Sequence, residues 1–230
     1  MIANDKILGI HKNGYCVLRE LLPKPAVNAC GKAFWPILLK YIEDNEHHPN
    51  RGPHRHYLPM PFHSPCFAPE FFFDKKILDL IRAAMGSRVV ADQWGCDVPV
   101  RGSEYQSFHV DYHRPLFEEA PDLSVPPYLL VVSFGLVDIE AKNGPIEIAV
   151  GTHRMAREVA MRSVETDESD VHLFCWRSAT CLFGTHGHCI AAHPTQPIRR
   201  ERSQPFVMCA AGTLTTAGTL MQSRTLFGNC

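Results

Sequence analysis

A histidine and an aspartate stand two residues apart in Gln106-Ser-Phe-His109-Val-Asp111-Tyr-His113. Residues i and i+2 of an extended chain project to the same face, so an imidazole nitrogen and a carboxylate oxygen can close on one cation. With a histidine from later in the chain, the pair makes a 2-His-1-carboxylate set. Such a set leaves positions open on Fe(II) for a cosubstrate and O2. A second chemistry takes His109, Asp111 and His113 together as three ligands of a zinc hydrolase, since all three share a strand face. That alternative lacks an evident general base. A lone His-x-Asp is weak in a chain with 13 histidines, because on the order of one such match arises by chance. The surrounding elements must decide.

Downstream of the pair runs Tyr128-Leu-Leu-Val-Val-Ser-Phe-Gly-Leu-Val-Asp-Ile139, the most β-forming stretch of the chain and a predicted buried central strand. Asn143-Gly144-Pro145 turns the chain, and Ile146-Glu-Ile-Ala-Val150 returns with strand alternation. Upstream, an Asn13-Gly14 turn precedes a short strand over 15–18. Residues 26–40 are helix-like behind Pro25, with Pro36 breaking or kinking the run. Ile77, Leu78, Ile81 and Met85 form one apolar stripe of a helix over 75–85, and Gly86 sits at its C-terminal cap. Residues 89–94 read as a strand. Between 45 and 69 the chain carries Pro, His and Arg with little periodicity, which predicts a long loop or lid. The pairs His47-His48 and His54-x-His56 lie there without a carboxylate or cysteine to complete a metal site. Helices followed by strands with tight turns predict an α+β chain whose β part is a jelly-roll sandwich.

Composition narrows the function classes. At 230 residues with 45% apolar and 20% charged side chains, the chain can bury a sizeable core as one large domain or two small ones. A net charge of −1 gives no basic field for nucleic acid and no polybasic membrane patch. No charged-then-apolar leader and no apolar run of membrane-spanning length is present, so the expected compartment is the cytoplasm. Nine cysteines with no C-x-x-C pair favour neither a disulfide framework nor a zinc ribbon.

Asn143-Gly-Pro-Ile-Glu-Ile-Ala-Val-Gly-Thr-His-Arg154 is similar to the NGPL…PGSHR segment of the phytanoyl-CoA dioxygenase family, and it follows His109-x-Asp111 at that family's distance. Pro49-Asn-Arg-Gly-Pro-His-Arg-His56 and Gly102-Ser-Glu-Tyr-Gln106 also resemble elements of its bacterial members. The resemblance spans roughly residues 10 to 174. It implies a double-stranded β-helix (a cupin-like jelly roll) with N-terminal helices, holding Fe(II) and 2-oxoglutarate and using O2 on a small-molecule substrate. His109 and Asp111 would be two metal ligands and Gln106 a cosubstrate contact. A carboxylate at 111 occupies the site that iron halogenases leave for halide, so hydroxylation is the expected outcome.

The family needs a third ligand, a histidine about 80 residues beyond the first, and an arginine eleven residues further on for the 2-oxoglutarate carboxylate. An arginine suits that carboxylate because its planar fork gives two parallel hydrogen bonds. In the printed chain, His188 lies nearest the first register and Arg200 nearest the second, with His186 and His193 as neighbours. Composition breaks here. Residues 175–230 hold one acidic side chain (Glu201), no lysine, no tyrosine and five of the nine cysteines. Codon degeneracy from Cys175 onward permits, in a shifted frame, L-E-I-G-D-V and then R-H-P-W-A-L-H-R-G-T-P-N. The expectation is therefore an oxygenase-like part over 1–174 with an incomplete barrel. Residues 175–230 are expected to be a frame-shifted tail that disrupts the C-terminal strands. A catalytically dead relative of the family is the corresponding alternative.

Overall fold

The computed structural model describes residues 4–45, 49–111, 127–185, 190–192 and 208–216. Five helices and eleven strands alternate along these segments. Helix α1 (Asn4–Asn13) leads through a turn at Gly14 into β1 (Tyr15–Leu18). Helix α2 (Lys24–Asp44) then runs through Pro36, longer at both ends than the apolar periodicity predicts. The predicted long loop contains a strand, β2 (Arg55–Pro59). A one-turn helix α3 (Pro69–Phe72) precedes α4 (Lys75–Met85). The α4 N-terminus is capped by Asp74, whose Oδ1 accepts from the backbone N–H of Lys76 and Ile77 at 2.8 and 3.2 Å. At the other end Gly86 adopts φ 91°, a conformation that only glycine enters without a Cβ clash.

The strand expected over 89–94 ends early, as β3 (Val89–Ala91), and a separate β4 (Gly95–Pro99) follows it. Strands β5 (Gln106–His109), β6 (Leu129–Gly135) and β7 (Ile146–Ala149) follow. Then come a 3-10 turn over Thr152–Arg154, α5 (Arg157–Glu165), β8 (Val171–Phe174), β9 (Cys181–Thr185), β10 (Ile190–Ala192) and β11 (Met208–Thr216).

The strands form two antiparallel sheets. The larger runs β1-β9-β6-β11-β4-β2 with β3 also on β11, and the smaller runs β5-β10-β7-β8. Alternation sends one face of the large sheet to the helices. Cys16, Leu58, Cys96, Val98, Leu130, Val132, Phe134, Cys181 and Phe183 pack there on Ile10, Val27, Phe34, Leu38, Leu80 and Ile81. Its other face meets the small sheet, where Tyr15, Val17 and Leu182 pack against Ile146, Ile148, Phe174 and Ile190. On the far side of the small sheet, Phe108, Val110 and Ala149 pack against Ala160, Met161 and Val164 of α5. The order of layers is helices, large sheet, small sheet, helix.

Residues beyond 174 take part in both sheets, against the expectation of disrupted strands. Strand β9 lies between β1 and β6, and its Cys181 and Phe183 are fully buried. Strand β10 bridges β5 and β7, and β11 pairs with β3, β4 and β6. The physical reason is local. Cys181-Leu-Phe alternates its side chains between the two apolar layers, so it serves as a strand whatever the composition around it.

Candidate functional site

Strand β5 is the edge strand of the small sheet, paired with β10. Phe108 and Val110 turn outward into the apolar contact with α5, which sends their neighbours His109 and Asp111 to the opposite face. That face lies between the sheets: His109 stands in register with Ile190, and Ile190 with Ile148. His109 Nε2 and Asp111 Oδ1 are 3.6 Å apart. Two ligands on adjacent positions around one ion, each bonded at roughly 2.1 Å, would lie about 3.0–3.4 Å apart, so a small closure brings both onto one cation.

The imidazole is already oriented. Its Nδ1 sits 2.9 Å from the Ser107 carbonyl, and a carbonyl only accepts, so Nδ1 carries the proton. In the neutral ring this leaves the Nε2 lone pair facing Asp111, the arrangement in which a backbone acceptor fixes the tautomer of a metal-binding histidine. His109 is 28% exposed and Asp111 53%. Burial alone would lower the His109 pKa. The hydrogen bond to Asp111, the one to Ser107 and the Asp111 charge outweigh it, and the imidazole ends above its ordinary value.

Gln106 opens the same strand, in register with Ala192. His113, His186, His188, His193 and Arg200 lie outside the described residues. Among the described residues, no group of three His, Cys, Asp or Glu side chains could hold a metal; the pair is what the structure brings together.

The 143–154 segment does structural work at the other end of the inter-sheet space. Asn143 Oδ1 accepts from the Glu140 N–H at 2.6 Å, its amide donates to the Asp138 carbonyl at 2.8 Å, and Gly144 takes φ 91°. Gly151 N–H donates to the Asn13 carbonyl at 2.9 Å, and Thr152 Oγ1 to the Ala149 carbonyl at 2.8 Å. The segment thus locks β7 onto α1. Tyr105 donates to Glu147 Oε2 at 2.7 Å, which ties the approach to β5 to the outer face of β7.

Sequence reasoning missed two further charged groups. Arg55 on β2 and Asp97 on β4 alternate with Leu58, Cys96 and Val98, which belong to the helix-side core. Both therefore face the small sheet. Arg55 Nη1 donates to Asp97 Oδ2 at 3.1 Å, with side-chain exposures of 4% and 26%. Burial raises the Asp97 pKa; Arg55 and Arg51 oppose it, and the Asp111 charge adds to it. The Arg55 charge in turn reaches His109. The ion pair and the His/Asp pair share one electrostatic environment. A separate aromatic cavity of about 360 Å3, lined by Phe67, Phe71, Phe72, Ile77, Trp94 and Val132, lies on the helix side of the large sheet.

Solved structures of non-haem alpha ketoglutarate dependent proteins are similar to this chain in fold. HygX from Streptomyces hygroscopicus with nickel and 2-oxoglutarate bound is 14% identical, with a TM-score of 0.66 over 94% of this chain and 88% of that one. The epimerase SnoN in complex with Fe3+, alpha ketoglutarate and nogalamycin RO is 13% identical, with a TM-score of 0.64 over 93% and 83%. EctD from S. alaskensis with 2-oxoglutarate and 5-hydroxyectoine is 14% identical, with a TM-score of 0.65 over 95% and 77%. At these identities the likeness is one of fold. None of the curated proteins matches the chain. The phytanoyl-CoA dioxygenase (PhyH) family matches residues 10–214, and the chain belongs to that family. The match runs 40 residues past the point where the sequence resemblance fades, through most of β11. Among the described residues, no helix is long and apolar enough to cross a membrane.

Proposed function

We propose that the chain is an Fe(II)- and 2-oxoglutarate-dependent dioxygenase of the cytoplasm, built on a double-stranded β-helix, that hydroxylates a small organic substrate. The observation that carries this is the His109–Asp111 pair, 3.6 Å apart with the ring tethered through Nδ1, inside the fold of a family whose cofactors are Fe(II), 2-oxoglutarate and O2. His109 Nε2 and Asp111 Oδ1 would hold the ion, with His188 as third ligand and Gln106 and Arg200 as cosubstrate contacts. Ferrous iron with 2-oxoglutarate and O2 supplies the oxidising power for C–H hydroxylation. The chain's own residues bind, orient and keep water out. The Ser107 carbonyl holds the ring in the metal-binding tautomer, and the apolar layer of Ile146, Ile148 and Leu182 dries the far end of the inter-sheet space. Titration with Mn(II), a redox-quiet surrogate, tests the site. Three ligands give tight binding and an enzyme; binding by two alone is weak, and points to the catalytically dead relative.

A second reading rests on the composition break past residue 174: we infer that residues from about 175 belong to a shifted reading frame, in which case the printed His188 and Arg200 fill neither role and the printed chain is the catalytically dead relative. The nucleotides of codons 175 to 200 decide it. Base choices that cannot encode R-H-P-W-A-L-H-R in the alternative frame sink the idea.

A further inference from the structure

The Arg55–Asp97 pair is half used. Nη1 and Oδ2 meet at 3.1 Å, while Arg55 Nη2 and Asp97 Oδ1 are buried without a hydrogen-bond partner. Leaving a guanidinium donor and a carboxylate acceptor dry and unpaired costs free energy, and such groups in folded proteins are nearly always satisfied. Both atoms belong to side chains that face the small sheet, on the side where His109 and Asp111 lie. They leave one free donor beside one free acceptor on the inter-sheet side of the large sheet.

The geometry points to a substrate head group that is neutral overall and carries an acceptor oxygen beside an N–H donor, seated on Arg55 Nη2 and Asp97 Oδ1. A primary carboxamide and the zwitterionic end of an α-amino acid have that chemistry. Charge selects it over a plain carboxylate or a plain amine. Asp97 already neutralises Arg55, so a lone anion or cation would add an uncompensated buried charge. The flanking charges do not change the sign. Arg51, exposed and stacked over the Tyr57 ring at 4.9 Å, and Asp111 act on Asp97 with opposite signs. Arg55 and Asp97 thus act as specificity residues that set which end of a substrate enters, leaving its other end toward the His/Asp pair.

This assignment rests on the proposed oxygenase site only for its part in turnover, so it is tested on the metal-free full chain. Ligand-detected NMR compares acetamide and glycine with two half-groups, acetate and methylammonium. Acetamide or glycine is expected to bind about tenfold more tightly than either half-group, and the stronger of the two names the head group. The double variant Arg55→Met/Asp97→Leu replaces the pair with apolar side chains, an exchange that buried ion pairs often tolerate without loss of stability. It is expected to abolish that binding. Arg55→Lys keeps the charge but loses the fork and should also lose it. Three results overturn the assignment: no binding of acetamide or glycine by the native chain, equal binding of a half-group, or unchanged binding in the double variant. A failed Mn(II) titration with intact glycine or acetamide binding would instead count against the metal site alone.

Discussion

The space between the two sheets has two ends built on opposite terms. At one end Tyr15, Val17, Ile146, Ile148, Trp176 and Leu182 pack into an apolar layer. At the other, Arg55 and Asp97 come from one sheet, and His109 and Asp111 from the strand opposite or just past it. The apolar end draws its free energy from burial. The polar end spends some of it, with a buried guanidinium donor and a carboxylate oxygen left without partners. A fold that tolerates such a cost at one end while closing the other has stability in one place and function in the other.

Removing one of the two proposed metal-binding side chains is the sharpest way to break that division. His109→Ala or Asp111→Asn should weaken Mn(II) binding by more than about a hundredfold, beyond what changes to groups that only orient the ligands bring, with little change in melting of the metal-free chain at a pH where His109 is neutral. His113→Ala should leave the affinity nearly unchanged. A large loss at His113 would favour the zinc-hydrolase donor set.

Truncation at the apolar end should do the reverse. Leu182 is buried between the sheets, so Leu182→Ala should cost about 2–5 kcal/mol of stability through lost burial and the cavity left behind. Denaturant melts read that cost directly. Because Leu182 lies past residue 174, the result also bears on the tail: a loss near zero would mean that β9 does not hold the sheets together in solution.

How much of this division the amino-acid order reveals depends on range. His109 and Asp111 are legible because the rule that joins them is local, a strand period of two. The apolar strands β1, β6 and β7 are legible for the same reason. Strand β2 is hidden by its Pro, His and Arg content, and its partner β4 begins 95 residues into the chain, so nothing near residues 55–59 announces the pairing. Arg55 and Asp97 are 42 residues apart, and no short-range signal connects them. The strand over 89–94 stops at Ala91 because Asp92-Gln93-Trp94 leaves the sheet: Trp94 turns into an aromatic cluster with Phe71, Phe72 and Phe134, an event set by tertiary packing rather than by propensity. Past residue 174 the composition break predicts disrupted strands, whereas β9 lies between β1 and β6 with Cys181 and Phe183 buried. Three consecutive apolar side chains there divide between the two layers, and a three-residue run is too short to stand out against that composition.

Acid should separate the two ends through His109. Its folded pKa lies above its ordinary value, so in the metal-free chain it contributes stability that is fully present below about pH 6.5, the unfolded value, and is lost as pH rises through the folded pKa. A metal ion needs the neutral ring, so Mn(II) affinity should fall as pH drops through that same raised pKa. Melts with and without Mn(II) should therefore shift in opposite directions on acidification. Asp111→Asn, which removes the hydrogen bond and charge that raise the pKa, should flatten the metal-free trend. Parallel shifts would mean that His109 is not the titrating ligand.

The smallest effect is expected at the rim of the apolar end. Tyr15 and His172 close β1 toward β8 across the gap between the sheets, with the hydroxyl 2.6 Å from His172 Nδ1, and His172 Nε2 lies 3.1 Å from Asp170 Oδ2. Tyr15→Phe deletes the hydroxyl and keeps the ring, whose edge packs on Phe174 at a centroid distance of 5.0 Å. His172 is exposed, so its Nδ1 can turn to water once the hydroxyl is gone, and no buried group is stranded. The loss should then stay within about 1 kcal/mol, the net worth of a solvent-reachable hydrogen bond, well below that of Leu182→Ala. A loss as large as the leucine truncation would mean that the polar rim, and not the apolar layer behind it, keeps this end shut.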